Sequence, residues 1–177
     1  LSAQNVYVGP ARSGCFSQAG GAHAISTMLD VGPVGDYSLS GGTLTVPAIT
    51  ISESGQFEVS GGILEVAEIV SVDGEMDVIG CSQEIEGALA VSETGTVGVE
   101  AATLSTPSAE VQGCLHLAGG EIDASAVSVM GLAGGRIEGW GTISGGVLAD
   151  RFSVIEASGG NLTLGDPGLW DGFATEG

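Results

Sequence analysis

The chain has 177 residues, which is enough for one domain. Its formal net charge is −19, because it contains 22 acidic residues and only three basic ones. A surface this acidic offers few cationic groups to the phosphates of nucleic acids or to anionic lipids. Neither nucleic acid nor a membrane is therefore an expected partner. Glycine accounts for 32 residues, but the hydrophobic fraction of 43% is large enough for a core, and no apolar run reaches the ~18 residues that predict membrane insertion.

The N-terminal part, residues 1–13, predicts a single strand. The segment Asn5-Val-Tyr-Val-Gly9 alternates in the way that strands do. No amphipathic helix is present here to cover the strand. We therefore expect an edge strand whose backbone groups are free on one side.

A repeat that opens with glycine fills residues 14–134. Its clearest copies are Gly14–Gly21, Gly35–Gly42 and Gly55–Gly62, and fainter copies begin at Gly74, Gly95 and Gly113. The copies follow one another at intervals of 18 to 21 residues. Such a period indicates a repeat architecture, in which each unit buries its apolar face by stacking on the next.

Apolar side chains recur at two fixed places in these copies. Two residues after the opening glycine stand Phe16, Tyr37, Phe57, Met76, Val97 and Leu115. Four residues after it, from the second copy onwards, stand Leu39, Val59, Val78, Val99 and Leu117. This period of two predicts strands with one face inward, and the small residues between them predict tight corners. We therefore predict an all-β, right-handed parallel β-solenoid of eight to nine coils of about 20 residues, with these side chains as core columns.

The rest of the chain fits the same single domain over residues 1–177. Residues 135–165 continue the repeat with a shifted phase, whereas residues 166–177 are rich in turns and predict an irregular segment. The alternative fold is an antiparallel β-sandwich. A sandwich gives no reason for side chains to recur every 20 residues or so, and the solenoid is therefore preferred.

Several of these segments resemble known bacterial repeats. Tyr37-Ser-Leu-Ser-Gly-Gly-Thr-Leu-Thr-Val46, Gly141-Thr-Ile-Ser-Gly-Gly-Val147 and the segment Ile155–Leu164 are similar to repeats of autotransporter-type passenger domains and of secreted proteins with a PEP-CTERM sorting tail. The resemblance covers roughly residues 14–165. It implies an extracellular or cell-surface bacterial protein, and it is more specific for architecture than for function.

Acidic residues are the first candidates for a site. Glu53, Asp73 and Glu93 precede the opening glycines of successive units, so we expect them to stack at one corner. Stacked carboxylates could bind Ca²⁺ weakly, and a solvated acidic face is the simpler interpretation. Catalysis on a polysaccharide is not expected, because the units are too short to build a cleft and lysine is missing. No cofactor is expected beyond that Ca²⁺.

Histidine and cysteine offer little chemistry. His23 occupies the column of Leu44, so we expect its side chain to pack in the core, whereas His116 is expected to point outward. Cys15, Cys81 and Cys114 are too far apart in the predicted register for any disulfide between them. Trp140 and Trp170 could serve as platforms for sugars or pack the corners of coils.

The ends of the solenoid suggest two functions. A strand edge without a cap can pair with another copy of the chain, which predicts a homopolymer: a filament of an extracellular structural protein. The alternative is a segment of a surface adhesin that binds a glycan or a host protein. For the filament, the expected interface residues are Asn5, Val6, Tyr7, Val8, Leu162, Leu164, Trp170 and Phe173.

Overall fold

The computed structural model describes residues 1–131 and 134–165. Within them the fold is entirely β, and no helix there is long and apolar enough to cross a membrane. The strands are β1 (Ser2–Val8), β2 (Gly14–Val31), β3 (Gly35–Ile51), β4 (Gln56–Val72), β5 (Glu75–Ile79), β6 (Ser82–Ile85), β7 (Ala88–Val91), β8 (Thr96–Glu100), β9 (Thr103–Val111), β10 (Cys114–Val129), β11 (Arg136–Ala149) and β12 (Val154–Leu164).

The described strands pair in parallel, each with the strand one turn further along the chain. The chain winds through about eight turns of roughly 20 residues. This arrangement confirms the predicted parallel β-solenoid and excludes the antiparallel sandwich. Residues 135–165 continue the same stack, since Leu115 pairs with Ile137 and Ile137 pairs with Ile155.

Each turn has three straight sides. The fourth turn shows them as separate strands, because β5 is its first side, β6 its second and β7 its third. In the longer strands, the same corners appear as irregularities of register, as between Ala24 and Met28 in β2. Side chains alternate in and out along each side, so three sets of apolar side chains meet inside the turn.

Both core columns predicted from the sequence lie on the first side. Tyr37, Phe57 and Met76 pair in successive turns and are at most 1% exposed. Phe16 stacks on Tyr37 with ring centroids 5.0 Å apart, and Tyr37 stacks on Phe57 at 5.2 Å. The other members, Val97, Leu115, Leu39, Val59, Val78, Val99 and Leu117, are also buried. The columns therefore form a continuous core along the solenoid axis.

Glycine is required where successive corners touch. Gly42 has a φ of +83°, and a Cβ placed on it would lie 2.2 Å from the carbonyl oxygen of Gly21 in the preceding turn. A larger residue would therefore be strained and would also push the two turns apart. Gly62 repeats this arrangement one turn later, with a φ of +77°.

The fourth turn contains a polar residue where its neighbours have leucine. Gln83 lies between Leu64 and Leu104 in the stack and is 4% exposed. Its Oε1 accepts the backbone N–H of Leu64 at 2.8 Å, and its Nε2 donates to the carbonyl of Gly62 at 3.2 Å. The side chain thus takes the place of backbone bonds beside the break between β5 and β6.

Candidate functional site

The N-terminal end of the described solenoid is a half-covered turn. Strand β1 pairs only with Ala24–Val31: its residues 5–8 lie against the third side of the first turn, and Ser2 and Ala3 lie against the end of the second side. No described strand precedes the first side of that turn, Gly14–Gln18. Phe16 therefore stacks on Tyr37 with one face and remains half-buried. This end thus presents an incomplete layer with an aromatic ring at its surface.

The free edge of β1 carries its own unpaired backbone groups. Val8 pairs with Val31, and its carbonyl accepts the N–H of Gly32 at 2.8 Å, so its polar groups face β2. Backbone groups alternate sides along a strand, and those of Tyr7 therefore face away from β2. The Tyr7 side chain is also 57% exposed. Tyr7 is consequently the residue through which another strand could pair with this edge.

The interface residues predicted in β1 differ in exposure. Asn5 and Tyr7 are exposed, Val6 is half-buried against the core, and Val8 is 5% exposed. Val8 belongs to the core because Val31 of the next turn stacks on it. Its side chain is therefore not part of any surface.

A polar cluster lies just inside the N-terminal end. The hydroxyl of Tyr37 donates to Gln18 Oε1 at 3.0 Å and lies 3.3 Å from His23 Nδ1. Gln18 Nε2 donates to the carbonyl of Thr43 at 2.9 Å. Burial raises the pKa of Tyr37 and lowers the pKa of His23, so both side chains are neutral near pH 7. The cluster satisfies most of its own polar atoms and has no charge with which to attract a ligand.

The C-terminal end of the described solenoid has the opposite shape. Strand β12 covers the first and second sides of β11 through the segments Val154–Ala157 and Leu162–Leu164. No described strand covers the third side of β11, Gly146–Ala149. Two of the predicted interface residues, Leu162 and Leu164, lie in this last layer and are half-buried. The other two, Trp170 and Phe173, lie outside the described residues.

Apolar groups are also exposed around this end. Leu148, Phe152 and Val154 are 61%, 53% and 44% exposed, and Ile155 ends the column that Phe16 begins. The guanidinium of Arg151 lies 4.6 Å from the ring centre of Phe152. An apolar rim therefore surrounds the last described layer.

Charge is distributed unevenly along the axis. Residues 53–123 contain fourteen Asp and Glu and no Lys or Arg, whereas residues 1–31 contain one Arg and one Asp. At the other end, Arg136 forms ion pairs with Glu138 and, at 2.7 Å, with Glu156. The middle turns thus form an acidic belt, defined here as residues 53–123, and the described ends are close to neutral.

The three acidic residues expected to stack at one corner do not stack. The backbone N–H of Asp73 donates to the carbonyl of Ile51. Ser52 and Ser92 make the equivalent bonds in their own turns. The corner at Asp73 is two residues shorter than the corners at Glu53 and Glu93, so Asp73 does not occupy the position of these glutamates in its own turn. The two glutamates are themselves two turns apart, roughly 10 Å. Among the described residues no group of three or more His, Cys, Asp or Glu side chains could hold a metal ion. The expectation of a Ca²⁺ site here overlooked the variable length of the corners.

Other acidic side chains do stack as the register requires. Glu58 pairs with Asp77, and Glu65 pairs with Glu84, in adjacent turns. Burial raises the pKa of Asp77, and the nearby charges of Glu75 and Glu58 raise it further. Repulsion between turns is therefore part of the acidic belt, and it weakens the stack at neutral pH.

The histidine and cysteine residues offer no catalytic arrangement in the described part of the chain. His116 is exposed, and its Nδ1 lies 3.5 Å from a carboxylate oxygen of Glu138. The three cysteines are free thiols, and burial raises the pKa of Cys114. A raised pKa reduces the thiolate fraction, which is the opposite of what a nucleophile needs.

Comparison with known proteins adds no relative, because no protein-family model, curated protein or solved structure matched this chain. What the chain shares with secreted bacterial repeats thus stays a resemblance of sequence segments. The features that bear on function are the two ends and the acidic belt between them.

Proposed function

We propose that the chain is an extracellular bacterial structural protein whose copies stack head to tail into a filament. The observation that carries this proposal is the complementary shape of the two described ends. One end, β1, supplies the third side of a turn and the end of the second side, and the other end, β12, supplies the first side and the start of the second. Joined in register, the two partial layers make one complete turn shared by two copies.

The contacts in such a joint follow from the columns. β1 of one copy would lie on Gly146–Ala149 of the next, and its own first turn would cover β12. Phe16 would then stack over Ile155, so that two half-buried apolar side chains become buried. Parallel pairing across the joint would also satisfy a row of backbone groups, each of which contributes about 0.5–1.5 kcal/mol net. A contact of this head-to-tail type does not close on itself and therefore extends into a fibre.

The charge distribution supports assembly through the ends over assembly through the sides. Two copies side by side would bring their acidic belts together, and the repulsion would be large at low ionic strength. The described ends are closer to neutral, since residues 1–31 contain one Arg and one Asp and residues 134–165 contain two Arg and three acidic residues, so they meet less repulsion than two belts would. The resemblance of Tyr37–Val46 to secreted repeats supports the extracellular location.

The proposal is tested by blocking the free edge of β1. In Tyr7→Pro the N–H that faces away from β2 is lost, while the bonds between β1 and β2 keep their donors. We expect the parent chain to form fibres in negative-stain microscopy and sedimentation, and Tyr7→Pro to stay monomeric with unchanged circular dichroism. Tyr7→Phe keeps the N–H and is the matched control, expected to assemble. A parent chain that is monomeric at millimolar concentration, or Tyr7→Pro fibres like those of the parent, would overturn the proposal.

A further inference from the structure

A groove runs along the solenoid at the corner between the first and second sides. It has a volume of about 640 Å³ and extends over five turns, from Gly80 to Thr163. Small residues such as Ala101 and Gly120 form its floor. Because these residues leave room at every turn, the groove follows the solenoid axis.

Polar side chains form one wall of this groove at regular intervals. Outward residues pair from turn to turn in a single row: Ser82, Thr103, Glu121, Thr142 and Thr163. At about 4.8 Å per turn the row is roughly 19 Å long. Ser144 donates a hydrogen bond to Glu121 and fixes its carboxylate. Hydroxyls both donate and accept hydrogen bonds, so the row suits a ligand that carries hydroxyls of its own.

A single large aromatic side chain lies in the same groove. Trp140 is 45% exposed. A Cβ placed on Gly119 would lie 2.5 Å from the ring of Trp140, and a Cβ placed on Gly160 would lie 3.0 Å from the Cβ of Trp140. The indole is thus held between the corners of the turns on either side. A large, fixed and partly exposed indole beside a row of hydroxyls offers an apolar surface together with polar partners.

We propose that this groove binds a neutral polysaccharide, with the chain lying along the solenoid axis. The apolar face of a sugar ring would stack on Trp140, and its hydroxyls would bond to the Ser–Thr row and to Glu121. A straight groove over five turns suits an extended polymer better than a compact ligand. Glu121 and the charge of −19 exclude acidic polysaccharides. An extended peptide is disfavoured because the strands along the groove, apart from β12 at the end of the stack, already pair on both edges.

The groove lies on a lateral surface, so binding does not depend on filament formation. The chain has two tryptophans, and Trp170→Phe leaves Trp140 as the only one. Fluorescence of Trp140 in that background, with Tyr7→Pro added to keep the chain monomeric, reports on the groove alone. The probes are hexasaccharides of neutral β-glucans, α-glucans, mannans and N-acetylglucosamine, with oligogalacturonate as the acidic comparison.

We expect a saturable change in fluorescence with at least one neutral probe and none with oligogalacturonate. In calorimetry, Trp140→Ala should weaken that binding about tenfold or more, because removal of a large aromatic side chain from the centre of a binding site usually costs the most affinity. Thr142→Val keeps the size of the side chain and should weaken binding severalfold. Phe152→Ala removes an exposed aromatic outside the groove and should leave affinity unchanged.

Three results would overturn the proposal: no saturable binding of any neutral probe, equal binding of oligogalacturonate, or full affinity in both Trp140→Ala and Thr142→Val. Thr142→Val guards against a fold defect in Trp140→Ala, since its side chain is isosteric. Loss of fibres in Tyr7→Pro has no bearing on these outcomes, so the two proposals fail separately.

Discussion

Phe57 and Phe16 offer a matched test of the stacked core, because they are the same residue type in the same column. Phe57 is 1% exposed and lies between Tyr37 and Met76, whereas Phe16 heads the column and is half-buried. Phe57→Ala removes a whole ring from a closed site and should cost about 3–5 kcal/mol. Phe16→Ala loses contacts on one face only, so about half of that cost is expected.

The loss should also be local. In a solenoid each turn contacts mainly its neighbours, so the cavity at Phe57 weakens the turns that flank it. Urea unfolding of monomeric protein would give the two free energies. Hydrogen exchange would then show increased opening over residues 35–90 in Phe57→Ala and little change over residues 114–149.

Equal destabilisation by the two substitutions would contradict the expected end effect, since it would mean that the column does not end at Phe16. Uniform exchange along the whole chain would refute the expectation of local coupling. In assembled protein the two variants should differ again, because only Phe16→Ala removes a ring from the proposed joint. It should therefore reduce fibre formation even though it destabilises the monomer less than Phe57→Ala does.

Three further substitutions test particular contacts. Gln83→Ala should cost about 1–3 kcal/mol in urea unfolding, because it leaves the buried N–H of Leu64 without an acceptor; an unchanged midpoint would contradict this. Gly42→Ala should lower the melting temperature through its positive φ and the close carbonyl, whereas Gly20→Ala, with open space around it, should not. Asp77→Asn should raise stability at pH 7, because the raised pKa means that ionisation opposes folding; the gain should shrink as the pH falls through the raised pKa of the folded state and should be gone below the ordinary carboxyl pKa of 3.8, and a gain independent of pH would argue against the ionisation.

The repeat made the fold predictable. Residues such as Tyr37 and Phe57 recur at a fixed distance from an opening glycine, and only turns stacked in parallel bring them into contact. The period thus encodes both the strand direction and the register. No comparable pattern exists for β1, whose alternation suits any side of a turn. Its position across the corner between the second and third sides became evident only from its pairing with Ala24–Val31.

The corners were the weak point of the sequence reasoning. A gain or loss of two residues at a corner leaves the strands in register but moves the side chains of the corner itself. This shift separates Glu53 and Glu93 from Asp73. The groove beside Trp140 escaped notice for a related reason. The signal was the matched register of Thr103 and Thr142, which lies on the outward positions and not on the columns that define the repeat.

His23 joins the column logic to a measurable pH effect. It occupies the place of Leu44 in the next turn and is 3% exposed. The Tyr37 hydroxyl gives its only hydrogen to Gln18, so His23 Nδ1 must donate to Tyr37, and Nε2 is left as a buried acceptor without a partner. Burial, and then the N-terminal charge, lower the pKa of His23.

The sign of the effect follows from linkage. A histidine with a lowered pKa stays neutral in the fold, while the unfolded chain binds a proton as the pH falls below about 6.5. Folding stability therefore declines from that pH downward until the folded pKa is reached, and it is unaffected at higher pH. His23→Leu restores the residue type of the column, removes the unpaired acceptor and abolishes this contribution. The parent chain should thus lose more unfolding free energy than His23→Leu between pH 7.5 and pH 5.5, and parallel pH profiles for the two proteins would show that His23 is not held neutral in the core.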